Sequence, residues 1–360
     1  MRAKLLSSIN KAAKMNRTKF MYVCENCGSD GYLELEKDAA ICSQCLNSYP
    51  LSPNKVIVFN TSASNQQEHF DNLYASGYSP TEDRVIEEYE QEYISSKKRV
   101  NDLLKLWGLK KQLPIKEKSF LDVACGPGWI TTGLMQNRKI RNSTFHAFDL
   151  SATGLEMLGQ FNKNLRTTNQ LEISVQNAEN MRFSGNSFDF IIGHSMLHHL
   201  PAYENFLADC HKILKPGGTA LFGEPFSIGY GLLAASLKLA QNDLGKEYQE
   251  IDYLYENIKL RTQAQRQQLE SLIDKHLFFQ SEITALVQKI GFQSIEFISL
   301  LDRDYYRNQF VTDELRLSYK IIDEELDKRA NEIYKAFFDI FDCEKFIHAI
   351  SAFMYIKLVR

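Results

Sequence analysis

The chain has 360 residues, of which 44% are hydrophobic and 12% aromatic, and its formal net charge is -3. This composition supports a sizeable core, so we expect a globular protein. The small net charge gives no chain-wide field for nucleic acids or anionic membranes, and no apolar run reaches the roughly 18 residues that a membrane-spanning helix needs. We therefore expect a soluble, cytoplasmic protein.

The N-terminal segment, residues 1–22, is basic. Its first twenty residues contain six lysines and arginines and no acidic residue. Three interpretations remain open: an organelle transit peptide, an arm that contacts phosphates, or a solvated basic helix. We assign the segment no function.

Four of the seven cysteines form two closely spaced pairs, Cys24 with Cys27 and Cys42 with Cys45. A two-residue spacer brings both thiolates to one side of a tight turn, and two such turns provide the ligands of a tetrahedral Zn²⁺ site. Two disulfides in a secreted module are the alternative, but we find no signal peptide and the other cysteines would be left unpaired. We therefore predict a zinc ribbon over 23–59, with a structural role because four thiolates leave no open coordination position.

After the ribbon, residues 60–80 are expected to be a linker, and apolar residues at mostly helical spacing predict a helix over 81–107. Strands and helices then alternate, which predicts an α/β fold with a parallel sheet covered by helices on both faces. The seven predicted strands are 119–123, 144–148, 171–176, 188–193, 219–223, 294–300 and 350–358. The predicted helices between them are 129–137, 152–165, 202–213 and 281–290. Two further stretches, 226–278 and 302–347, are expected to be helical insertions.

The first of these strands runs into the sequence FLDVACGPGW, residues 120–129. Small residues at the junction of a strand and a helix allow a ligand to approach the backbone amides. Asp149 ends the second strand, where a carboxylate can accept hydrogen bonds from both hydroxyls of a ribose. Asp122 precedes the loop and would repel a pyrophosphate while attracting an ammonium or sulfonium group. The pattern therefore predicts a positively charged adenosyl cofactor.

Four motifs in the chain resemble those of the class I S-adenosylmethionine-dependent methyltransferases, in the broad group that includes the ubiquinone and menaquinone methyltransferases. They are FLDVACGPGW, AFDLS, VQNAENMRFSGNSFDFIIGHSMLHHL and ILKPGG, within about 115–300. The resemblance implies a seven-stranded, mostly parallel Rossmann-like sheet in a methyltransferase domain over 81–360. The second cysteine pair, followed by a YP dipeptide and a strand, is similar to short zinc ribbons found beside methyltransferases.

The resemblance also implies which residues bind S-adenosylmethionine. The loop residues that hold the methionine end are Asp122, Ala124, Gly126 and Gly128. The residues implied around the ribose and adenine are Asp149, Leu150, Ser151, Asn177 and Ala178, and the backbone carbonyl of His194 is implied to face the cofactor's amino group. Two positions depart from the pattern: Ala124 replaces the first glycine, and Asn177 replaces an aspartate but can still accept a hydrogen bond.

The implied chemistry is an in-line displacement of the methyl group from sulfur, for which positioning of the acceptor supplies much of the rate. A general base is optional, and it matters when the acceptor is a hydroxyl or a carbon acid. The candidates follow the fourth and fifth strands: His198 is the first choice, followed by His194, His199 and Glu224. The insertions are expected to form a lid and a substrate pocket, although the aromatic residues of 302–347 are expected to be mainly core.

Three functions remain open from the sequence. The leading one is methyl transfer to an oxygen, nitrogen or carbon atom of a small molecule. The alternative is methylation of ribosomal or transfer RNA with the ribbon in recognition, since the similarity includes ribosomal-RNA guanine methyltransferases with an N-terminal zinc module; acidic residues in the ribbon oppose this. The third is a scaffold that binds the cofactor without turnover. The oligomeric state stays open.

Overall fold

The computed structural model describes residues 17–59, 65–77, 100–111, 113–263, 269, 272–299, 303–341 and 350–360. Most of the basic N-terminal segment and most of the helix expected over 81–107 lie outside the described residues. The part of that helix that is described runs over 100–106.

The described strands are between two and twelve residues long. In chain order they are β1 (Tyr22–Val23), β2 (Asp30–Gly31), β3 (Leu33–Leu35), β4 (Ala39–Cys42), β5 (Ser48–Pro50), β6 (Val56–Val58), β7 (Ile115–Lys116), β8 (Ser119–Val123), β9 (Ile140–Arg141), β10 (Thr144–Asp149), β11 (Gln170–Val175), β12 (Phe188–His194), β13 (Leu214–Pro225), β14 (Ser294–Ile298) and β15 (Phe353–Val359).

Eight of these strands form the main sheet, in the order β14-β15-β13-β12-β8-β10-β11-β6. β8 pairs in parallel with β10 and β12, and β11 pairs in parallel with β10 and β6. The predicted α/β class with a mostly parallel sheet is confirmed, and all seven predicted strands are present. The eighth strand, β6, lies in the range predicted for the ribbon, so the predicted strand number was one too low.

The centre of the sheet is a run of apolar residues because both of its faces are covered. All five residues of β8 are buried. The ring of Phe120 stacks on Phe145 and on Phe190, with centroid distances of 4.6 and 5.0 Å. Burial of each such ring contributes about 2–3 kcal/mol. Asp122 is the only ionisable residue of β8, and burial of its charge is costly.

The labelled helices are α1 (Asn65–Gly77), α2 (Trp129–Gln136), α3 (Ala152–Asn162), α4 (Tyr203–Ile213), α5 (Ser227–Asp243), α6 (Gln249–Gln263), α7 (Gln280–Ile290), α8 (Arg303–Asn308), α9 (Phe310–Asp313) and α10 (Glu324–Phe341). The four helices predicted between strands correspond to α2, α3, α4 and α7, with ends that differ by up to three residues. Both predicted insertions contain helices. Residues 65–77 of the expected linker form α1.

The chain divides into two compact units. The first comprises Met1–His194, Glu204–Leu221 and Val359–Arg360, and the second comprises Ser195–Tyr203 and Phe222–Leu358.

In the first unit, the residues that directly precede the predicted ribbon pack on the parallel sheet through a buried polar network. The Tyr22 hydroxyl donates to Glu172 at 2.5 Å and lies 3.2 Å from Nδ1 of His146. The other ring nitrogen of His146 lies 2.9 Å from the Ser174 hydroxyl, and the Lys19 amide donates to Glu172 at 2.7 Å. Because buried polar groups need such partners, these contacts hold the start of the ribbon on strands β10 and β11.

The second unit has its own apolar core between helices α5, α6 and α10. Buried side chains from all three contribute, among them Leu237, Ile251, Tyr334 and Phe338. The aromatic residues of the second insertion that the structure describes are therefore mainly core, as predicted.

Among the residues described here, none of the helices combines the length and the apolar composition that crossing a membrane requires.

Candidate functional site

The glycine loop, residues 124–128, connects β8 to α2 with backbone angles that few side chains tolerate. Ala124, Gly126 and Gly128 have φ angles of 50°, 53° and 80°. A side chain at Gly128 would lie 2.6 Å from both terminal carbons of Leu158, so this position requires glycine. The loop thereby places bare backbone at the carboxyl end of the sheet, where a ligand can contact it.

Asp122 is buried directly before this loop. Its Oδ2 atom accepts hydrogen bonds from the Thr131 amide at 3.1 Å and the Thr131 hydroxyl at 2.6 Å. Burial raises the pKa of Asp122 to about 7, against the hydrogen bonds from Thr131, which lower it, and the Asp149 charge adds to the rise. A positively charged ligand beside this carboxylate would favour its ionised form.

Asp149 organises the corner between β10 and α3. Its two oxygens accept from the amides of Gly126 and Ser151, each at 2.8 Å. Burial raises the pKa of Asp149, and the hydrogen bonds from the Ser151, Gly126 and Leu150 amides oppose that rise. Each carboxylate oxygen has more than one lone-pair position, so Asp149 can also accept from the two hydroxyls of a ribose.

Helix α1 contributes two residues to this corner that sequence reasoning missed. The Ser151 hydroxyl donates to Asp71 at 2.5 Å. The Tyr74 hydroxyl lies 2.6 Å from the place where a side chain on Gly126 would begin. The signal that could have revealed this helix is the spacing of Phe70, Leu73 and Tyr74, which places three apolar side chains on one helical face within a polar segment.

The remaining predicted cofactor residues follow three neighbouring strands. Leu150 comes directly after β10, Asn177 and Ala178 follow β11, and His194 ends β12. Asn177 caps the short helix Ala178–Asn180, since its side-chain oxygen accepts from the Glu179 amide at 2.9 Å. Parallel strands end at one edge of a sheet, so these residues share the edge that carries the glycine loop and Asp149.

In the second unit, His198 and Glu224 form a buried pair. Nδ1 of His198 lies 2.7 Å from Oε2 of Glu224. Glu224 is fully buried and also accepts from the amides of Met196 and Leu197, at 3.0 and 2.8 Å. With its oxygens held by these donors, Glu224 orients the imidazole and directs Nε2 of His198 away from itself.

Two more side chains surround the His198 ring. The rings of His198 and His199 have centroids 4.1 Å apart. The Asp274 carboxylate lies 3.6 Å from Nε2 of His198 and 3.2 Å from Nδ1 of His199. The Ile273 carbonyl oxygen is 3.1 Å from the same His199 nitrogen. Sequence reasoning missed Asp274, because this residue lies in the first insertion, more than seventy residues after the two histidines.

A cavity of about 380 Å³ in the second unit adjoins this cluster. Its walls include His198, Asp274, Arg261 and tyrosine rings such as Tyr230 and Tyr319. A π-helical turn at Glu314–Ser318 supplies further wall residues, and such turns are frequent at functional sites. The cavity is large enough for a small organic ligand.

The four cysteines predicted as metal ligands lie together in the first unit. Their sulfur atoms are all within 4.8 Å of one another. Sulfur atoms of Cys24 and Cys45 are 3.6 Å apart, and those of Cys27 and Cys42 are 3.9 Å apart. Four sulfurs bonded tetrahedrally to Zn²⁺ at about 2.3 Å are separated by about 3.8 Å, so this cysteine cluster has the dimensions of a zinc site.

Known proteins resemble the part of the chain that contains the glycine loop. Residues 121–222 match a family model described as a methyltransferase domain. The ubiquinone/menaquinone biosynthesis C-methyltransferase UbiE of Rickettsia bellii is 27% identical over 219 residues, which cover 56% of this chain and 82% of that protein. The phthiotriol/phenolphthiotriol dimycocerosates methyltransferase of Mycobacterium leprae is 27% identical over 113 residues, which cover 31% of this chain and 40% of that protein.

Among solved structures, phosphoethanolamine N-methyltransferase 2 of Haemonchus contortus in complex with S-adenosyl-L-methionine aligns with a TM-score of 0.47 and 16% identity. The alignment covers 99% of this chain and 73% of that chain. The family match and the relatives coincide with the parallel sheet and glycine loop described above. The matched domain and these relatives support S-adenosylmethionine-dependent methyl transfer as the activity of the chain, whose mostly parallel sheet has the Rossmann-like methyltransferase fold.

Proposed function

We propose that the enzyme methylates a small organic molecule that binds in the cavity of the second unit. The observation that supports this most directly is the cavity itself, whose volume of about 380 Å³ suits a compact ligand. Its charged wall residues are the Asp274 and Glu314 carboxylates and the Arg261 guanidinium. A polynucleotide would require an open and predominantly basic surface, whereas the cavity wall contains two carboxylates and one guanidinium.

The cofactor site that we propose consists of the predicted residues at the sheet edge. Asp149 accepts the ribose hydroxyls, Asn177 and Ala178 contact the adenine, and the glycine loop with Asp122 receives the methionine end. The buried carboxylates fit a cationic ligand, because burial disfavours their ionised forms and a nearby positive charge restores them. When bound, S-adenosylmethionine supplies a methyl group that is activated by the positive charge on its sulfur.

For the acceptor, we propose that His198 is the catalytic residue and Glu224 its positioning residue. Nδ1 of His198 lies 2.7 Å from the Glu224 carboxylate and donates its hydrogen to it, so the lone pair on Nε2 is the one that can accept a proton from the methyl acceptor. A lone pair in this position draws the proton from a hydroxyl or an acidic C–H group and typically contributes 10²–10⁴-fold in rate. Glu224 itself is buried and occupied by amide donors. We propose that His194, in the other unit, contacts the cofactor through its carbonyl.

We propose Zn²⁺ as the occupant of the cysteine cluster, with a structural role. The thiolates of Cys24, Cys27, Cys42 and Cys45 complete its coordination and leave no position for a substrate. Since the ribbon packs on β10 and β11, the ion stabilises one edge of the cofactor-binding unit.

A turnover assay tests the acceptor proposal. Formation of S-adenosylhomocysteine would be followed with panels of phenols, amines and C–H acids, in wild type, His198→Gln and a control, His211→Gln, whose histidine lies on α4 outside the cluster. We expect His198→Gln to lose about 100-fold or more in kcat with unchanged S-adenosylmethionine affinity, and His211→Gln to retain activity. Unaltered turnover in His198→Gln would contradict the catalytic role.

The RNA alternative makes a different prediction in the same assay. Binding through phosphates weakens steeply as salt rises, whereas binding of a small molecule in an enclosed cavity does not. Ribosomal and transfer RNA fragments as acceptors would therefore be compared at low and physiological salt. Methylation of RNA with a steep salt dependence, and of none of the small molecules, would replace our proposal.

A further inference from the structure

The cluster of His198, His199 and Asp274 in the second unit has the composition of a metal site. Two imidazole nitrogens and one carboxylate oxygen converge there, all within 4.8 Å of one another. Such a set, with two histidines and one carboxylate on one side of an ion, leaves the opposite side open for other ligands. None of these residues belongs to the cysteine cluster, which lies in the other unit.

The separations fit ligands of one ion. Two ligand atoms about 2.1 Å from a metal, at angles between about 90° and 120°, are about 3.0–3.6 Å apart. The Asp274 oxygen is 3.2 Å from Nδ1 of His199 and 3.6 Å from Nε2 of His198.

The carboxylate beside His198 also has the arrangement found around metal-bound histidines. A ligating imidazole usually donates its other N–H to a carboxylate, which fixes the tautomer and strengthens the ligand. Glu224 holds that position, 2.7 Å from Nδ1 of His198, and its own oxygens are fixed by the Met196 and Leu197 amides. Glu224 and Asp274 also place two carboxylates on either side of the His198 ring, a charge arrangement that favours a cation.

We infer that His198, His199 and Asp274 bind a divalent first-row metal ion at the wall of the second-unit cavity. Mixed imidazole and carboxylate ligands favour ions from Mn²⁺ to Zn²⁺ over Mg²⁺ and Ca²⁺, which prefer oxygen alone. His198 and Asp274 both line the cavity, so the open coordination side is available to a ligand bound there.

The consequence for catalysis rests on the proposed function. If the ion is bound, Nε2 of His198 would be one of its ligands, and the ion would replace the His198 lone pair as the group that activates the acceptor. An acceptor hydroxyl beside the ion would lose its proton to the buffer more readily, because the positive charge stabilises the oxygen anion. An oxygen lone pair then forms the bond to the methyl carbon while the carbon–sulfur bond breaks, and that electron pair stays on sulfur as a neutral thioether. No oxidant or reductant is needed.

The test counts metal ions and needs no substrate. Full-length wild type, His199→Ala, Asp274→Ala, Cys27→Ser and the control His211→Ala would be dialysed against micromolar free Zn²⁺, and zinc per chain measured by mass spectrometry. We expect two ions in wild type and in the control, and one in each of the other variants. Circular dichroism and thermal melting would show that His199→Ala and Asp274→Ala remain folded.

The outcomes separate this inference from the proposed function. One ion in wild type that is lost only in Cys27→Ser would overturn the metal site, even if His198→Gln abolished turnover. Two ions, of which one is lost in both His199→Ala and Asp274→Ala, would support it even if no small acceptor were methylated. Glu224→Gln should weaken zinc binding at this site by about 10–100-fold in a competition titration, and unchanged affinity would count against the proposal that Glu224 orients His198 toward the ion.

Discussion

The charge of Asp122 should couple cofactor binding to pH. The substitution Asp122→Asn keeps the side-chain volume and an oxygen that can accept both hydrogen bonds from Thr131, and removes only the ionisation. Burial raises the pKa of Asp122 from 3.8 to about 7 in the free protein. This rise means that the folded protein disfavours the ionised carboxylate by about 4 kcal/mol relative to the protonated one.

The sign for stability follows from proton uptake. Between about pH 4 and pH 7 the folded protein binds more protons at this residue than the unfolded chain, so its contribution to the free energy of unfolding falls as pH rises. The slope is about 1.4 kcal/mol per pH unit. Urea unfolding would be measured for wild type and Asp122→Asn across this range. The difference between their free energies of unfolding should show this slope, because the contributions of all other titrating groups are the same in both proteins.

Binding of S-adenosylmethionine should have the opposite dependence. A cation binds best to the ionised carboxylate, and the ionised fraction at a pKa of about 7 rises about tenfold between pH 6 and pH 8. Isothermal titration should therefore show the affinity of wild type, relative to Asp122→Asn in the same buffers, increasing about tenfold over that range. A ratio that does not change with pH would refute the proposed contact between Asp122 and the cofactor's positive charge.

Four further substitutions test the cofactor site, the cysteine cluster and the glycine loop. Asp149→Ala should weaken S-adenosylmethionine binding by roughly 100-fold in titration calorimetry, because two hydrogen bonds to a charged group are lost, and an unchanged affinity would contradict its role. Cys27→Ser should lose the ribbon zinc and lower the melting temperature while cofactor affinity stays within about threefold; full zinc retention would disprove the cysteine site. Gly128→Ala should destabilise by about 2 kcal/mol or more, since its φ is 80° and the new methyl group would overlap Leu158. The matched change Ala124→Gly, at a φ of 50°, should alter the free energy of unfolding by less than about 1 kcal/mol. If Ala124→Gly and Gly128→Ala changed the free energy of unfolding equally, the contact with Leu158 would not explain why residue 128 is a glycine.

Local patterns in the sequence were sufficient for the fold class and for the residues at the sheet edge. Strand and helix periodicities depend on neighbouring residues, so the alternation through β8 to β15 could be predicted. The glycine loop could also be predicted, because a left-handed backbone and close packing at Gly128 restrict that position to glycine. The spacing of the four cysteines likewise predicted that two turns bring their sulfur atoms together.

The number of strands and the role of α1 depended on distant contacts. β6 joins the sheet by pairing with β11, more than a hundred residues away in the chain. Nothing in the three residues of β6 specifies that partner, since strand pairing is decided by the register and packing of both strands. The polar character of 60–80 similarly concealed α1, whose Tyr74 and Asp71 contact the glycine loop and Ser151 only after folding.

By itself, the sequence determined a methyltransferase sheet, a set of motif positions at its edge and a cluster of four cysteines, because each of these is encoded in residues close together in the chain. Only the tertiary structure decided that Glu224 orients His198 and that Asp274 joins the two histidines. These groups come from three separate segments, and the distances between them arise from the packing of the insertion around its own core. Spacing along the chain carries no information about such distances.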